Sequence, residues 1–288
     1  MGYEKKGYSS LFTRDYFDSL LVETRYIDSG EADTSFAVYG KKFTSPVMVA
    51  ISDSEGVHKA ETVETAGAAG KAGIICWVDT KEKEKLSEIT DTGVLAIKII
   101  RPYADNKLVI SQIEQAQECG VLAVGIDISL ALDDRAGDNT AFKSMEEIQE
   151  FASAASVPFI VKGILSERDA YKCLRAGASG IVMSVHNSLS GYAISPFVSL
   201  PGILNAVNAQ IPVFVDCEIA NGLDAFKALA LGSSAVFIKQ TFTTPPKENR
   251  VKSVFDKISS VNDELKNFMS KTGCHNLSYM DKTVLWQI

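Results

Sequence analysis

Eight short apolar segments alternate with helical segments along this chain, and that alternation limits its fold more than any other feature. Each apolar segment is a continuous hydrophobic run, which is typical of parallel strands covered on both faces. The segments between them carry the 3.6-residue hydrophobic period of amphipathic helices. The predicted strands are 46–50, 74–77, 94–100, 122–128, 158–162, 179–184, 212–216 and 235–239. The predicted helices are 57–71, 80–90, 105–119, 144–155, 166–176, 197–209, 221–231 and 246–271.

Repeated strand–helix units predict parallel strands with right-handed crossovers, and eight of them predict closure into a (β/α)8 TIM barrel. A doubly wound open sheet is the alternative, but no G-x-G-x-x-G follows the first strand. We predict one domain over 1–288, with an extension at 1–44, the barrel at 45–271 and a tail at 272–288. In the extension we expect a helix over 12–26 and an extended segment over 33–43.

The bulk composition argues against several classes of partner. A net charge of −7 and a pI near 5.1 disfavour general binding to nucleic acid or to an anionic membrane. No apolar segment reaches the roughly 18 residues that a bilayer requires. The five cysteines are scattered and form no C-x-x-C pair, so neither a disulfide framework nor a zinc site is indicated. We expect reduced thiols and a cytoplasmic location.

Several predicted strands end on a polar or ionisable residue, as at Lys162, Ser184 and Asp216. The C-terminal ends of barrel strands meet at one mouth, where active sites form. Lys98 and Asp127 are unusual because they fall inside predicted strands, and buried charges require partners. We therefore predict a cluster of Lys98, Asp127 and Lys162 at the mouth.

The order of these segments resembles the FMN-dependent α-hydroxy-acid oxidase/dehydrogenase family, the glycolate- and lactate-oxidising flavoproteins with (β/α)8 barrels. The stretches that carry the resemblance are Glu-Thr-Arg-Tyr-Ile-Asp at 23–28, Ser-Pro-Val-Met-Val-Ala at 45–50, Val-Pro-Phe-Ile-Val-Lys-Gly at 157–163, the run from Ala176 to His186, Ile-Pro-Val-Phe-Val-Asp at 211–216 and Phe-Lys-Ala-Leu-Ala-Leu-Gly at 226–232. The resemblance implies FMN as cofactor, a small-molecule substrate and a homo-oligomer.

The resemblance also assigns residues to roles. Lys162 matches the lysine beside the flavin N1/O2 edge, where an ammonium stabilises the charge of the reduced ring. His186 matches the histidine that takes the substrate hydroxyl proton, a step suited to a neutral imidazole. Trp77 is either a flavin contact or a core residue. The positions implied to bind the cofactor are Ala50, Ile51, Ser52, Trp77, Lys98, Asp127, Lys162, Ser184, Asp216, Gly222 and Lys239.

The phosphate and substrate segments depart from the family pattern. The family's Asp-Gly-Gly-x-Arg-x-Gly reads Asp-Cys-Glu-Ile-Ala-Asn-Gly at 216–222, and its later Gly-Arg reads Lys239-Gln240. We expect Lys239 and the N–H groups of the helix that starts near Asn221 to bind the phosphate instead. His186 is followed by Asn-Ser-Leu where the family has Gly-Gly-Arg, the arginine that binds the substrate carboxylate.

The sequence therefore leaves three readings of function. The first is an FMN-dependent oxidoreductase that oxidises a small α-hydroxy acid or a related alcohol by hydride transfer to the flavin. The second is a degenerate barrel that has lost FMN and serves as a binding or assembly protein, which the altered phosphate segment favours. The third is an FMN-dependent isomerase, whose phosphate-rich substrate requires more basic residues than we find.

Overall fold

The computed structural model describes residues 8–52, 59–131, 139–185, 193–238 and 250–288. Its strands and helices follow the alternation expected from the sequence. The strands are β1 (Leu20–Val22), β2 (Phe36–Val38), β3 (Lys41–Phe43), β4 (Val47–Ser52), β5 (Cys76–Asp79), β6 (Ala96–Ile100), β7 (Ala123–Asp127), β8 (Phe159–Lys162), β9 (Gly180–Ser184), β10 (Val213–Ile219), β11 (Ala235–Ile238) and β12 (Leu285–Gln287).

Strands β4 to β11 form a closed barrel in the order β10-β11-β4-β5-β6-β7-β8-β9, and all eight neighbouring pairs are parallel. This confirms the predicted TIM barrel. The helices are α1 (Tyr8–Asp18), α2 (Lys59–Lys71), α3 (Lys83–Thr90), α4 (Asn106–Glu118), α5 (Met145–Ala154), α6 (Glu167–Arg175), α7 (Pro196–Val207), α8 (Gly222–Ala230) and α9 (Arg250–Lys271). The limits of extension, barrel and tail stay a prediction.

Side chains alternate along each barrel strand between two cores. One core fills the barrel interior and includes Met48, Trp77, Ile97 and Phe214. The other lies between strands and helices and includes the strand residues of opposite parity, such as Val49. Because the side-chain period of a strand is two residues, this alternation indicates which side of the barrel wall each strand residue faces.

The N-terminal extension differs from its prediction. The helix predicted over 12–26 ends at Asp18, and β1 follows it because Leu20-Leu21-Val22 pairs antiparallel with β12 of the tail. A partner some 265 residues away in sequence overrides the local helical pattern. The extended 33–43 segment is a hairpin of β2 and β3, turned at Tyr39 and Gly40 with φ of 51° and 71°. Positive φ at both turn residues gives the twist that a two-residue hairpin requires.

Strand β10 also extends beyond its predicted end at Asp216, reaching Ile219. Its pairing with β11 changes register between Val215 and Ile219, and Glu218 within that interval has φ of 54°. With this irregularity the strand continues past Asp216, the residue at which it was predicted to end. None of the described helices is both long and apolar enough to cross a bilayer.

Candidate active site at the barrel mouth

The C-terminal ends of β7, β8 and β10 bring one lysine and two aspartates together. Lys162 ends β8 two residues after Ile160, which packs in the barrel interior, so both side chains lie on the inner face of the strand. Its Cα partner across the β7–β8 pair is Asp127, the last residue of β7. Asp216 occupies the corresponding level of β10, where its Cα partner is Ser184 at the end of β9. The mouth of the barrel therefore carries these charges on its inner wall.

The lysine is paired directly with both carboxylates. Its Nζ lies 2.7 Å from Oδ2 of Asp216 and 3.7 Å from Oδ2 of Asp127. The side chains are 16% exposed for Lys162, 11% for Asp216 and 5% for Asp127, so the ion pairs are shielded from bulk water. Shielding strengthens each pair and holds the ammonium in one place.

Burial alone lowers the pKa of Lys162, but the carboxylates of Asp216, Asp127 and Asp79 outweigh it and raise the pKa above its ordinary value. The ammonium therefore stays charged at physiological pH. Asp79 ends β5 and was not among the predicted site residues. The signal was present in the sequence, because the apolar run of that strand continues through Val78 to an aspartate.

Asp127 is fixed by a second set of contacts. Its Oδ1 accepts hydrogen bonds from the backbone N–H and the hydroxyl of Ser129. These bonds cap the short 3₁₀ turn Ile128–Leu130 that follows β7. Oδ1 thus orients the carboxylate, and Oδ2 is left for Lys162.

Lys98 does not share this arrangement. Its neighbours Ile97 and Ile99 both pack in the barrel interior, so strand alternation places Lys98 on the helix-facing side. Its side chain is buried and donates a hydrogen bond of 2.7 Å to the carbonyl of Ile99. The expected cluster of Lys98, Asp127 and Lys162 is replaced in the structure by Lys162 with two aspartates.

Trp77 is part of the core. It is 2% exposed, packs edge-on against Phe214 at 5.7 Å and against Phe237 at 4.9 Å, and its Nε1 lies 3.2 Å from the sulfur of Met48. Of the two interpretations that the sequence allowed, the structure supports core packing below the mouth.

The end of β4 lies beside the site. Ala50 packs partly buried against the interior core, and Ile51 faces the helices. The Cα partner of Ser52 is Asp79. The backbone at 50–52 therefore runs along the rim formed by β4 and β5, which is the position expected of a backbone contact to the flavin. Ser184 is 1% exposed at the end of β9.

The segment expected to bind phosphate is arranged differently from the prediction. The N–H of Gly222 donates to Oε2 of Glu264 at 2.8 Å, and the N–H of Ala220 donates to Oδ2 of Asp224 at 3.0 Å. The N–H of Asp224 donates to the capping side chain of Asn221. These donors at the start of α8 are therefore occupied by the protein itself, contrary to the prediction.

Gly222 has a packing role that explains its residue type. A Cβ at this position would lie 2.3 Å from Cβ of Glu264 and 2.5 Å from the backbone nitrogen of Leu265. Only glycine lets α8 approach α9 so closely. The glycine expected to approach a phosphate instead approaches a helix.

Glu218 keeps the backbone conformation that a glycine of the family motif would adopt. It occupies the second glycine position of the family motif, and its φ of 54° lies in the left-handed region that favours glycine. The backbone conformation of the motif is thus kept although the residue has changed. The side chain adds a carboxylate where the family pattern has none.

Asp224 also fastens the N-terminal helix. Its two oxygens accept hydrogen bonds of 3.0 Å and 2.9 Å from the Arg14 guanidinium, and Asp224 itself is 1% exposed. The hydrogen bonds to Asp224 raise the pKa of Arg14 above its ordinary value. This bidentate pair joins α1 to the start of α8, the helix whose N–H groups were predicted to bind the phosphate.

Arg101 is a second residue that the prediction missed. It directly follows β6, has the parity of the interior residues Ile97 and Ile99, and is half-buried. Its signal in the sequence was its position one residue past a strand end. The predicted site residues His186 and Lys239 lie outside the described residues.

Comparisons with known proteins agree with this architecture. The FMN-dependent dehydrogenase family matches residues 5–141 and 131–287. Glycolate oxidase 3 of Arabidopsis thaliana is 26% identical over 314 residues, covering 94% of this chain and 85% of the relative. L-lactate oxidase of Lactobacillus jensenii is 27% identical over 300 residues, covering 91% of this chain and 73% of the relative.

A solved structure of mandelate oxidase superposes with a TM-score of 0.85 at 24% identity, covering 100% of this chain and 92% of that one. That likeness confirms the fold. The family match spans nearly the whole chain and confirms the resemblance seen in the sequence. The chain belongs to the FMN-dependent dehydrogenase family.

Proposed function

We propose that this protein oxidises a small α-hydroxy acid with FMN as the electron acceptor. The observation that carries the proposal is the Lys162 ammonium, held on the inner wall of the mouth by Asp216 at 2.7 Å and Asp127 at 3.7 Å. The family is FMN-dependent, and the relatives include oxidases of glycolate and lactate. We assign this chain to the same class of reaction.

The residues at the mouth fit the ring end of FMN. The ring takes up negative charge on reduction, and a fixed, protonated lysine in a shielded site stabilises that charge. The backbone at 50–52 lies on the rim at β4 and β5, and Ser184 lies at the buried end of β9, between β8 and β10. At the phosphate end, the N–H groups of Ala220, Gly222 and Asp224 are engaged within the protein, so we assign phosphate binding to the β11–α9 connection that contains Lys239.

When bound, FMN supplies a two-electron acceptor for the hydride that leaves the substrate α-carbon. Lys162 would hold the ring end of FMN and would supply a positive charge that stabilises the reduced ring. Asp216 and Asp127 orient that lysine and keep it protonated. His186, as a neutral imidazole, takes the substrate hydroxyl proton at one ring nitrogen.

The substrate carboxylate requires a cation, because the arginine of the family motif is replaced after His186. We assign this role to Arg101. It follows β6 at the mouth, the residue is partly buried, and a planar guanidinium binds a carboxylate through two parallel hydrogen bonds.

The test is anaerobic mixing of FMN-loaded protein with glycolate, L-lactate and mandelate while the flavin absorbance is followed. We expect at least one acid to bleach the flavin, and its primary alcohol analogue to react far more slowly. Arg101→Met should raise KM more than it lowers kcat, with Arg175→Met on the helix layer as the matched control. Failure of every α-hydroxy acid to reduce bound flavin overturns the proposal.

The degenerate barrel remains the second candidate, since the donors of α8 are occupied and Glu218 adds negative charge near them. It predicts colourless protein that takes up no FMN on reconstitution. A yellow complex with one FMN per chain removes this candidate.

We also propose a cytoplasmic location and a homo-oligomer. All five cysteines are free, which is consistent with a reducing compartment. Leu21 and Trp286 are Cα partners in the β1–β12 pair and are 50% and 62% exposed, and such apolar exposure is typical of subunit contacts. Light scattering after gel filtration tests the oligomer, and a monomer at micromolar concentration contradicts it.

A further inference from the structure

Lys143 joins two segments that leave neighbouring barrel strands at the mouth. It lies between β7 and α5, and its Nζ donates hydrogen bonds to the carbonyl of Tyr103 at 2.6 Å and to Oδ1 of Asn106 at 2.7 Å. Tyr103 lies in the turn between β6 and α4, and Asn106 is the first residue of α4. The side chain of Lys143 is 1% exposed. Its ammonium is therefore a buried link between the segments that follow β6 and β7.

The backbones of the two segments are bonded to each other beside that link. The N–H of Ala104 donates to the carbonyl of Asn139 at 2.8 Å. The N–H of Ala141 donates to the carbonyl of Pro102 at 2.9 Å. Pro102 is buried and directly follows Arg101, the residue assigned above to the substrate carboxylate. The turn that begins with Arg101 is thus held by the segment that follows β7.

Tyr103 connects this link to Arg101. The N–H of Tyr103 donates to the carbonyl of Arg101 at 2.9 Å, and its own carbonyl accepts the hydrogen bond from Lys143. The residue between them is Pro102, whose ring fixes φ, so a displacement of Tyr103 also moves the backbone of Arg101. A guanidinium makes two parallel hydrogen bonds to a carboxylate only in one orientation, and the position of its backbone decides whether it reaches that orientation.

The charge on Lys143 does more than fill space. Burying an ammonium costs free energy, and an apolar side chain of similar length would pack there without that cost. The ion pair with Glu147 is long, at 3.6 Å, and the ring centroid of Phe151 lies at 5.7 Å. The two bonds to the β6–α4 side are shorter, and a charged donor makes such bonds roughly twice as strong as a neutral one. The ammonium therefore acts mainly on the segment that follows β6.

We propose that Lys143 is a positioning residue for substrate binding, which holds the β6–α4 turn so that Arg101 meets the carboxylate of the α-hydroxy acid. This inference rests on the proposed function, in which Arg101 binds that carboxylate. Lys143 acts through Arg101 and takes no part in hydride or proton transfer. Its loss should weaken substrate binding and leave the rate of flavin reduction by bound substrate unchanged.

The experiment is anaerobic stopped-flow titration of the FMN-loaded protein with glycolate, L-lactate and mandelate, which separates the substrate dissociation constant from the limiting rate of flavin reduction. Lys143→Met should raise the dissociation constant about tenfold and change the limiting rate less than about twofold. Asn106→Ala removes one acceptor of the ammonium and should raise the dissociation constant about threefold. Lys227→Met is the matched control, because Lys227 is a buried lysine that also donates to a backbone carbonyl, and it should change neither constant.

A double-mutant cycle with Arg101→Met tests whether the lysine acts through the arginine. In the Arg101→Met background, Lys143→Met should raise the dissociation constant by less than about a further twofold. Amide hydrogen exchange supplies a measurement that needs neither substrate nor turnover. The N–H groups of Ala104 and Ala141 should exchange faster in Lys143→Met than in the wild type, and at the wild-type rate in Lys227→Met.

The outcomes separate this inference from the oxidase assignment. If an acid reduces the wild-type flavin, an unchanged dissociation constant in Lys143→Met, additive effects in the cycle or unchanged amide exchange overturns the role of Lys143 and leaves the oxidase assignment in place. Failure of every acid to reduce the wild-type flavin overturns the oxidase assignment, and the role of Lys143 falls with it.

Discussion

Replacing Lys162 by methionine removes the cation that two buried carboxylates share. At an effective dielectric constant of about 20, the gross attraction is about 6 kcal/mol for the 2.7 Å contact with Asp216 and about 4.5 kcal/mol for the 3.7 Å contact with Asp127. Desolvation of all three groups offsets much of this. Breaking a buried pair from one side typically costs about 3–5 kcal/mol, so we expect Lys162→Met to lower the free energy of unfolding by about 3 kcal/mol.

A double-mutant cycle separates this effect from lost packing. In an Asp216→Asn background the longer contact with Asp127 is the ion pair that remains among the described residues, so Lys162→Met should cost at least about 1 kcal/mol less than it does in the wild type. Urea unfolding followed by circular dichroism measures each corner of the cycle.

Lys227 provides the matched control. It is a buried lysine on α8 whose Nζ donates to the carbonyl of Phe17 at 2.7 Å, and burial lowers its pKa. Lys227→Met should destabilise the protein equally with and without Asp216→Asn. A cost below about 1 kcal/mol for Lys162→Met, or an equal cost in both backgrounds, would refute the proposed arrangement of charges.

Three further predictions follow from the described contacts. Glu218→Gly should be more stable than Glu218→Ala by about 1 kcal/mol in urea unfolding, because the φ of 54° favours glycine; equal stabilities contradict this. Asp224→Ala should lower the free energy of unfolding by about 2–4 kcal/mol and expose α1 to limited proteolysis, because it removes both Arg14 hydrogen bonds. Asp18 is an exposed partner of the same guanidinium, so the control Asp18→Ala should lower it by less than about 1 kcal/mol. Finally, the pKa of Lys162 is raised, so its stabilising charge is fully present below the unfolded pKa of about 10.4 and is lost only as the pH rises through the folded pKa. The pH profile of kcat/KM should therefore show no alkaline limb from this group below about pH 10. A limb near pH 8 in the wild type that is absent in Lys162→Met contradicts this.

The barrel was predictable because its signal is local. Each buried strand is an apolar run, and Ser144 begins its helix with the capping box that its sequence indicates, through Glu147. The N-terminal segment was not predictable in the same way, since β1 depends on pairing with β12 at the other end of the chain. Local patterns identify elements, and distant pairing decides those that local propensity leaves ambiguous.

The candidate site was predictable in part for the same reason. Lys162 and Asp216 were found because each ends an apolar run, and Asp127 was found because a charge inside a predicted strand requires a partner. Lys98 was misplaced because an apolar run does not show which face of a strand a residue occupies. The structure shows that Ile97 and Ile99 face the barrel interior, so the side chain of Lys98 faces the helices. The α8 donors were misjudged because Glu264, their tertiary partner, lies 42 residues beyond Gly222.

We propose that Lys162 holds a positive charge against the ring of bound FMN. The most direct test is the midpoint potential of the bound flavin in wild type and in Lys162→Met, measured by coupled photoreduction against a reference dye. A charge worth about 2–4 kcal/mol to the reduced ring should lower the potential by about 40–90 mV when it is removed. Equal potentials in the two proteins, or a wild-type protein that takes up no FMN, would contradict it.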